Sequence, residues 1–134
     1  MITPEKAADL LEDVKENSHF KLHMGTNIAS LKQLAEALDI MAEAAFNHHV
    51  NANKNDFAAW IRHSIGDAEL ADTINKMRDR KRISAAVRKR VDFLETKSRE
   101  NKLSGKDFLT CGVTDFILGA VIGFVIGMIF AVII

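Results

Sequence analysis

The sequence predicts a mainly α-helical protein: a small helical bundle with one possible short β-hairpin, then a single C-terminal transmembrane helix. Three observations lead there. Apolar residues recur at helical spacing along five or six segments. Capping residues and glycines mark where those segments begin and end. Residues 116–134 (FILGAVIGFVIGMIFAVII) hold no charged side chain. At about 1.5 Å per residue this run makes a helix of roughly 28 Å, close to the roughly 30 Å hydrocarbon core of a bilayer. A buried helix in so small a protein would keep a polar face, and this run has none.

The elements follow in order. Thr3-Pro4-Glu5 is a helix start: a capping hydroxyl, proline at the first helical position and an acid in the first turn. Ala7, Leu10, Leu11 and Val14 give that helix one apolar stripe, and Asn17-Ser18 is expected to end it. In HFKLHMGTNIAS, the alternation of Phe20, Leu22 and Met24 with His19, Lys21 and His23, next to Gly25, predicts a short strand or hairpin. Ser30 is placed to cap a second helix with Leu31, Leu34, Ala35, Leu38 and Met41 on one side, and a third piece, AEAAFNHHV, follows with little break. After the polar connector of residues 51–55, Asp56 is expected to cap a helix bearing Phe57, Trp60, Ile61 and Ile65. Gly66 stops it as a left-handed residue, and Asp67 starts a fifth helix with Leu70, Ala71, Ile74 and Met77.

The stripe then changes register. Ile83, Val87, Val91 and Leu94 fall within about 80° on a helical wheel. An unbroken helix would carry Lys76 and Arg80 into that apolar sector, so a break is expected near Asp79 to Lys81, with a sixth helix beginning there. Residues 96–107 are polar, contain Gly105 and read as a juxtamembrane linker. The expected organisation is a soluble helical domain over 1–95, the linker over 96–107, and the transmembrane helix with its approach over 108–134.

Overall neutrality hides a polarity along the chain. Residues 1–75 hold 6 basic and 12 acidic side chains, and residues 76–115 hold 12 basic and 6 acidic. Lys97, Arg99, Lys102 and Lys106 precede the apolar run, which favours a cytoplasmic placement of the domain. The N-terminus is acidic and amphipathic and has no secretory pattern, so a single-pass, tail-anchored membrane protein is expected. The one cysteine, Cys111, excludes an intrachain disulfide framework.

The middle of the chain resembles a known family. Phe46-Asn47-His48-His49-Val50, then the N-D-F-x-x-W-I segment from Asn55 to Ile61, then Gly66-Asp67-Ala68-Glu69-Leu70-Ala71 resemble a small helical domain found mainly in archaea. Gly25, a Leu-rich helix such as that of Leu31 and Leu38, and an ending segment near Leu94 fit the same layout. The resemblance implies a fold and an archaeal or archaeal-like lineage. It implies no reaction, and no catalytic residue is transferred from it. The residues themselves read as structure: Phe46, Val50, Phe57, Trp60, Ile61, Ile65 and Leu70 as core, Asn55 and Asp56 as caps.

Few side chains suggest chemistry. The five histidines show no zinc-ligand spacing, no H-E-x-x-H pattern and no nearby cysteine, so no metal or other cofactor is expected. His48 or His49 is expected as a hydrogen-bonded core residue. No phosphate loop or nucleophile motif is present, and no enzymatic activity is expected. The acids Asp9, Glu12, Asp13 and Glu16 read as a solvated face.

Two clusters remain. Lys76, Arg78, Arg80, Lys81, Arg82, Arg88, Lys89 and Arg90 form a basic surface that suits a solvated helix face, anionic lipid headgroups or a nucleic-acid backbone. No aromatic interleaves them, which weakens the nucleic-acid reading. Within the apolar run, Gly119, Gly123, Gly127 and Ala131 recur every fourth residue and would form a helix-association groove. The expected function is a non-enzymatic, membrane-tethered interaction or scaffold protein, oligomerising through that groove and presenting its helical domain to a cytoplasmic protein. Its partners would be membrane lipids, a second copy or a membrane protein, and that cytoplasmic protein. A membrane-bound nucleic-acid or regulatory-protein binder is the alternative, and a small pore the weaker one.

Overall fold

A computed structural model describes residues 1–100 apart from Met24. The chain divides into two units, Met1–Ser98 and Arg99–Ile134, and nearly all described residues belong to the first. The fold is mainly helical with a small two-stranded antiparallel sheet.

Helix α1 (Pro4–Asp9) begins as the sequence predicts, with the Lys6 amide donating to Thr3 Oγ1 at 3.2 Å. It ends well short of Asn17. The Val14 amide donates to Ala29 O at 2.8 Å, so residues past Asp9 turn to meet the segment before the second long helix. Strands β1 (Phe20–Lys21) and β2 (Asn27–Ile28) pair Phe20 with Ile28 and Lys21 with Asn27. This is the hairpin the alternation predicts, only two residues per strand. It survives because Phe20 and Ile28 are buried in the helical core.

Helix α2 (Leu31–Ile40) starts after Ser30, whose side chain makes no capping bond. Gln33 instead reaches back and accepts from the Ala29 amide at 2.8 Å. Extended backbone at Met41 and Ala42 separates α2 from α3 (Glu43–His49). Helix α4 (Asp56–Trp60) runs on into a π-helical turn, Ile61–Ile65, where the sequence predicts plain α-helix. Gly66 closes that turn at φ +86°, donating to Ile61 O at 2.9 Å. Helix α5 (Ala68–Asn75) is capped by Asp67, which accepts from the Leu70 amide at 3.1 Å.

The last helix, α6, occupies residues 80–100. It starts where the register argument places it: Asp79 Oδ1 accepts from the Arg82 amide at 2.8 Å. Ile83, Val87, Val91 and Leu94 are all buried. The helix also takes in residues 96–100, the first part of the stretch expected to be a linker. Thr96 Oγ1 donates to Asp92 O and Ser98 Oγ to Glu95 O, so these hydroxyls bond along the helix, and no glycine or proline interrupts it before Gly105.

One core joins all of these elements, with Leu34, Leu38, Phe46, Phe57, Ile61, Ile74, Ile83 and Leu94 fully enclosed. Among the described residues no helix is long and apolar enough to cross a membrane. Residues 116–134 lie outside the described residues, and so do Gly119, Gly123, Gly127, Ala131 and Cys111.

Candidate functional site

The residues that first suggest chemistry are the histidines. His49 closes α3 and is buried against Phe20 and Phe57, with ring centroids 4.8 and 5.4 Å away. Its Nε2 accepts from the His23 amide at 2.9 Å. That bond requires a bare Nε2, so the proton sits on Nδ1, 3.2 Å from Asp56 Oδ2. Lys54 Nζ donates to the same carboxylate oxygen at 2.7 Å.

The Asp56–His49 pair has the outline of a carboxylate-oriented base, but its second nitrogen is committed to the backbone of the hairpin turn. Burial lowers the His49 pKa, against the partly offsetting pull of Asp56. Burial raises the Asp56 carboxyl, but the Lys54 and His49 hydrogen bonds outweigh it and leave the pKa below the ordinary value. The arrangement therefore fastens β1 to α3 and α4, with a neutral imidazole as the fastener. His23 and His48 stack outside it at 4.0 Å and 11°. Among the described residues no group of three or more His, Cys, Asp or Glu is placed to hold a metal ion.

The other motif residues resolve in the same way. Asn55, not Asp56, caps α4: its Oδ1 accepts from the Ala58 amide at 3.1 Å, and its Nδ2 donates to Ile74 O at 2.8 Å. A single buried side chain thus serves the start of α4 and the end of α5. Trp60 Nε1 donates to Ser18 O at 2.7 Å, holding the N-terminal segment. Asp67 is 2 % exposed, and besides capping α5 it takes a two-pronged contact from Arg90, Nε to Oδ2 at 2.7 Å and Nη2 to Oδ1 at 3.0 Å. Burial alone would lower the Arg90 pKa, but Asp67 and Glu69 outweigh it and raise it.

Asn55, Asp56, Phe57, Trp60, Ile61, Gly66, Asp67, Leu70 and Ala71 thus each have a packing, capping or fastening role. The sequence model of DUF5752, a family of unknown function, matches residues 13–109. The chain belongs to this family. No curated protein and no solved structure matches the chain. The family match contains every segment just described and stops before the apolar run at 116–134. The motif residues of the DUF5752 domain in this chain are engaged in its architecture.

The basic cluster divides into engaged and exposed residues. Arg90 belongs to Asp67 and Glu69. Arg88 pairs with Asp39, which also accepts from Ser84 Oγ at 2.5 Å. Arg80 Nη1 donates to Leu38 O and Asp39 O at the end of α2, and its Nε stands 3.5 Å from Glu43. These three arginines bolt α6 to α2, α3 and α5. They are not a free basic face.

Arg78 donates only to the carbonyls of Asn75 and Met77, so its charge stays uncompensated and exposed. Lys76, Lys81, Arg82 and Lys89 are exposed and form no ion pair among the described residues. The sequence could not divide the eight, because Asp39, Glu43 and Asp67 are distant in the chain. A recess of about 360 Å³ between α5 and α6, lined by Leu70, Thr73, Ala86 and Lys89 with exposed Phe93, is another exposed surface.

Proposed function

We propose that this chain, of archaeal or archaeal-like lineage, is a non-enzymatic interaction module tethered to a membrane by a helix over residues 116–134, with its DUF5752 domain in the cytoplasm. The observation behind this reading is the uncharged apolar run, which matches a bilayer core in length and follows a basic stretch. A second support is chemical. The most site-like group in the domain, Asp56–His49, spends both imidazole nitrogens on holding the fold. The chain assembles with a second copy or a membrane-protein partner through Gly119, Gly123, Gly127 and Ala131, where small residues let helix backbones approach. Tethering then does the functional work, raising the effective concentration of the domain and its partner without new contacts.

The test is the oligomeric state of the full chain in mild detergent. A defined dimer or small oligomer that dissociates in Gly123→Leu supports the reading, and assembly unchanged by that substitution contradicts it.

Binding of a nucleic acid through the exposed cations is the second reading, favoured by the four uncompensated cations among residues 76–82. It predicts salt-sensitive binding that weakens as those cations are removed.

A further inference from the structure

We propose that the corner where α5 meets α6 is a docking surface for the anionic headgroups of a bilayer, with Lys76, Arg78, Lys81 and Arg82 as its cations. The inference rests on the tethered reading above and names the surface the domain turns toward its membrane.

Three observations converge on this corner. First, the four cations are exposed, and no acid within residues 76–82 neutralises them. The one acid there, Asp79, spends Oδ1 on the Arg82 amide. The acids nearby are committed elsewhere, Glu43 to Arg80, Asp39 to Arg88 and Asp72 to Arg62. Second, Lys81 and Arg82 stand in the first turn of a helix, where the macrodipole favours acids and disfavours cations. Fold stability therefore gives no reason for them, unlike Arg80, Arg88 and Arg90.

Third, Ile40 is 86 % exposed, and its neighbour Asp39 accepts from Arg80 through its carbonyl at 3.0 Å. A large exposed aliphatic group thus follows directly on a residue that Arg80 holds, where the end of α2 meets the start of α6. Cations with an adjacent apolar side chain suit a lipid interface. A nucleic-acid backbone would not use the isoleucine, and residues 76–90 hold no aromatic for base stacking.

Chain length permits the contact. Residues 101–115 number fifteen, whose contour could not exceed roughly 50 Å, a limit above the roughly 30 Å length of a helix over 80–100. Being tied to the same bilayer makes even weak headgroup contacts effective.

The experiment places the full chain in lipid nanodiscs made either of phosphatidylcholine alone or of phosphatidylcholine with phosphatidylserine. Each disc carries a headgroup spin label, and broadening of backbone amide signals is read. The expected result is broadening at residues 76–82 and Ile40 in the anionic discs only. It should be lost in the double variant Lys81→Glu, Arg82→Glu, whose melting temperature should hold or rise because acids suit that helix turn. Lys81→Gln alone should shift the docked-to-free ratio about fivefold.

A chain that enters the disc while the corner stays silent overturns this inference alone. Equal broadening in neutral discs also overturns it, as does a response of the same amides to a short DNA duplex in place of the anionic disc. A chain that never enters the disc overturns the tethered reading and this inference with it.

Discussion

At His49 a single proton decides whether the hairpin turn is held. The His23 amide needs an acceptor at Nε2, and a protonated ring would offer it a second donor. The folded chain keeps the imidazole pKa below its ordinary value of 6.5, so the unfolded chain takes up the proton first as pH falls. The contribution is therefore complete above pH 6.5 and is lost as pH falls from there through the lowered folded value. Denaturant titrations between pH 7 and pH 5 should show that loss, and His49→Gln should remove this part of it. Asp56 acts further down, below its ordinary 3.8, where its own lowered pKa withdraws stability in the same direction.

Asp67 is a stronger case at the same scale. Asp67→Ala removes the α5 cap and the buried partner of Arg90, whose side chain is only 14 % exposed and which then keeps only the exposed Glu69. A lost cap costs about 1 kcal/mol and a broken buried pair about 3–5 kcal/mol. Because Glu69 still faces Arg90, the loss measured by urea unfolding should fall between those figures. Asp67→Asn, which keeps a capping oxygen, should lose less.

The elements divide by what decides them. Those fixed by neighbours in the chain were legible: the start of α1 at Thr3, the break at Asp79, the cap at Asp67, the stop at Gly66 and the hairpin near Gly25. Those fixed by distant partners were not. Helix α1 stops at Asp9 because Val14 is taken by Ala29, a bond no local pattern reveals. Asp56 reads as a cap in sequence, but His49 and Lys54 claim it, and Asn55 caps α4. The basic run reads as one face, yet its arginines answer to acids on α2, at the start of α3 and before α5.

Gly66 offers a clean test of local control. Nothing lies within 4 Å of where its Cβ would stand, so Gly66→Ala should cost only the left-handed backbone, about 1–2 kcal/mol. Gly66→Asn should cost less, since asparagine tolerates that conformation. Losses that follow side-chain size instead would mean the space is filled, contrary to the structure.

At the scale of the whole molecule, the proposed function assigns different work to the domain and to the apolar run. Met1–Ser98 is a compact unit whose core is closed by its own helices, and its family motifs are spent on holding that core. Among its exposed groups, four cations without an ion pair lie within residues 76–82. Residues 116–134 contribute no charge and no chemistry of their own, which suits a tether. On the tethered reading, function comes from where the domain is held and from what meets its surface there.

That division stands or falls with the tether, and alkaline carbonate extraction of membranes from cells producing the full chain tests it most directly. The tethered reading requires the chain to stay with the membrane pellet at high pH, and a chain ending at residue 100 to remain in the supernatant. A full chain that is released by carbonate and stays soluble without detergent would contradict it.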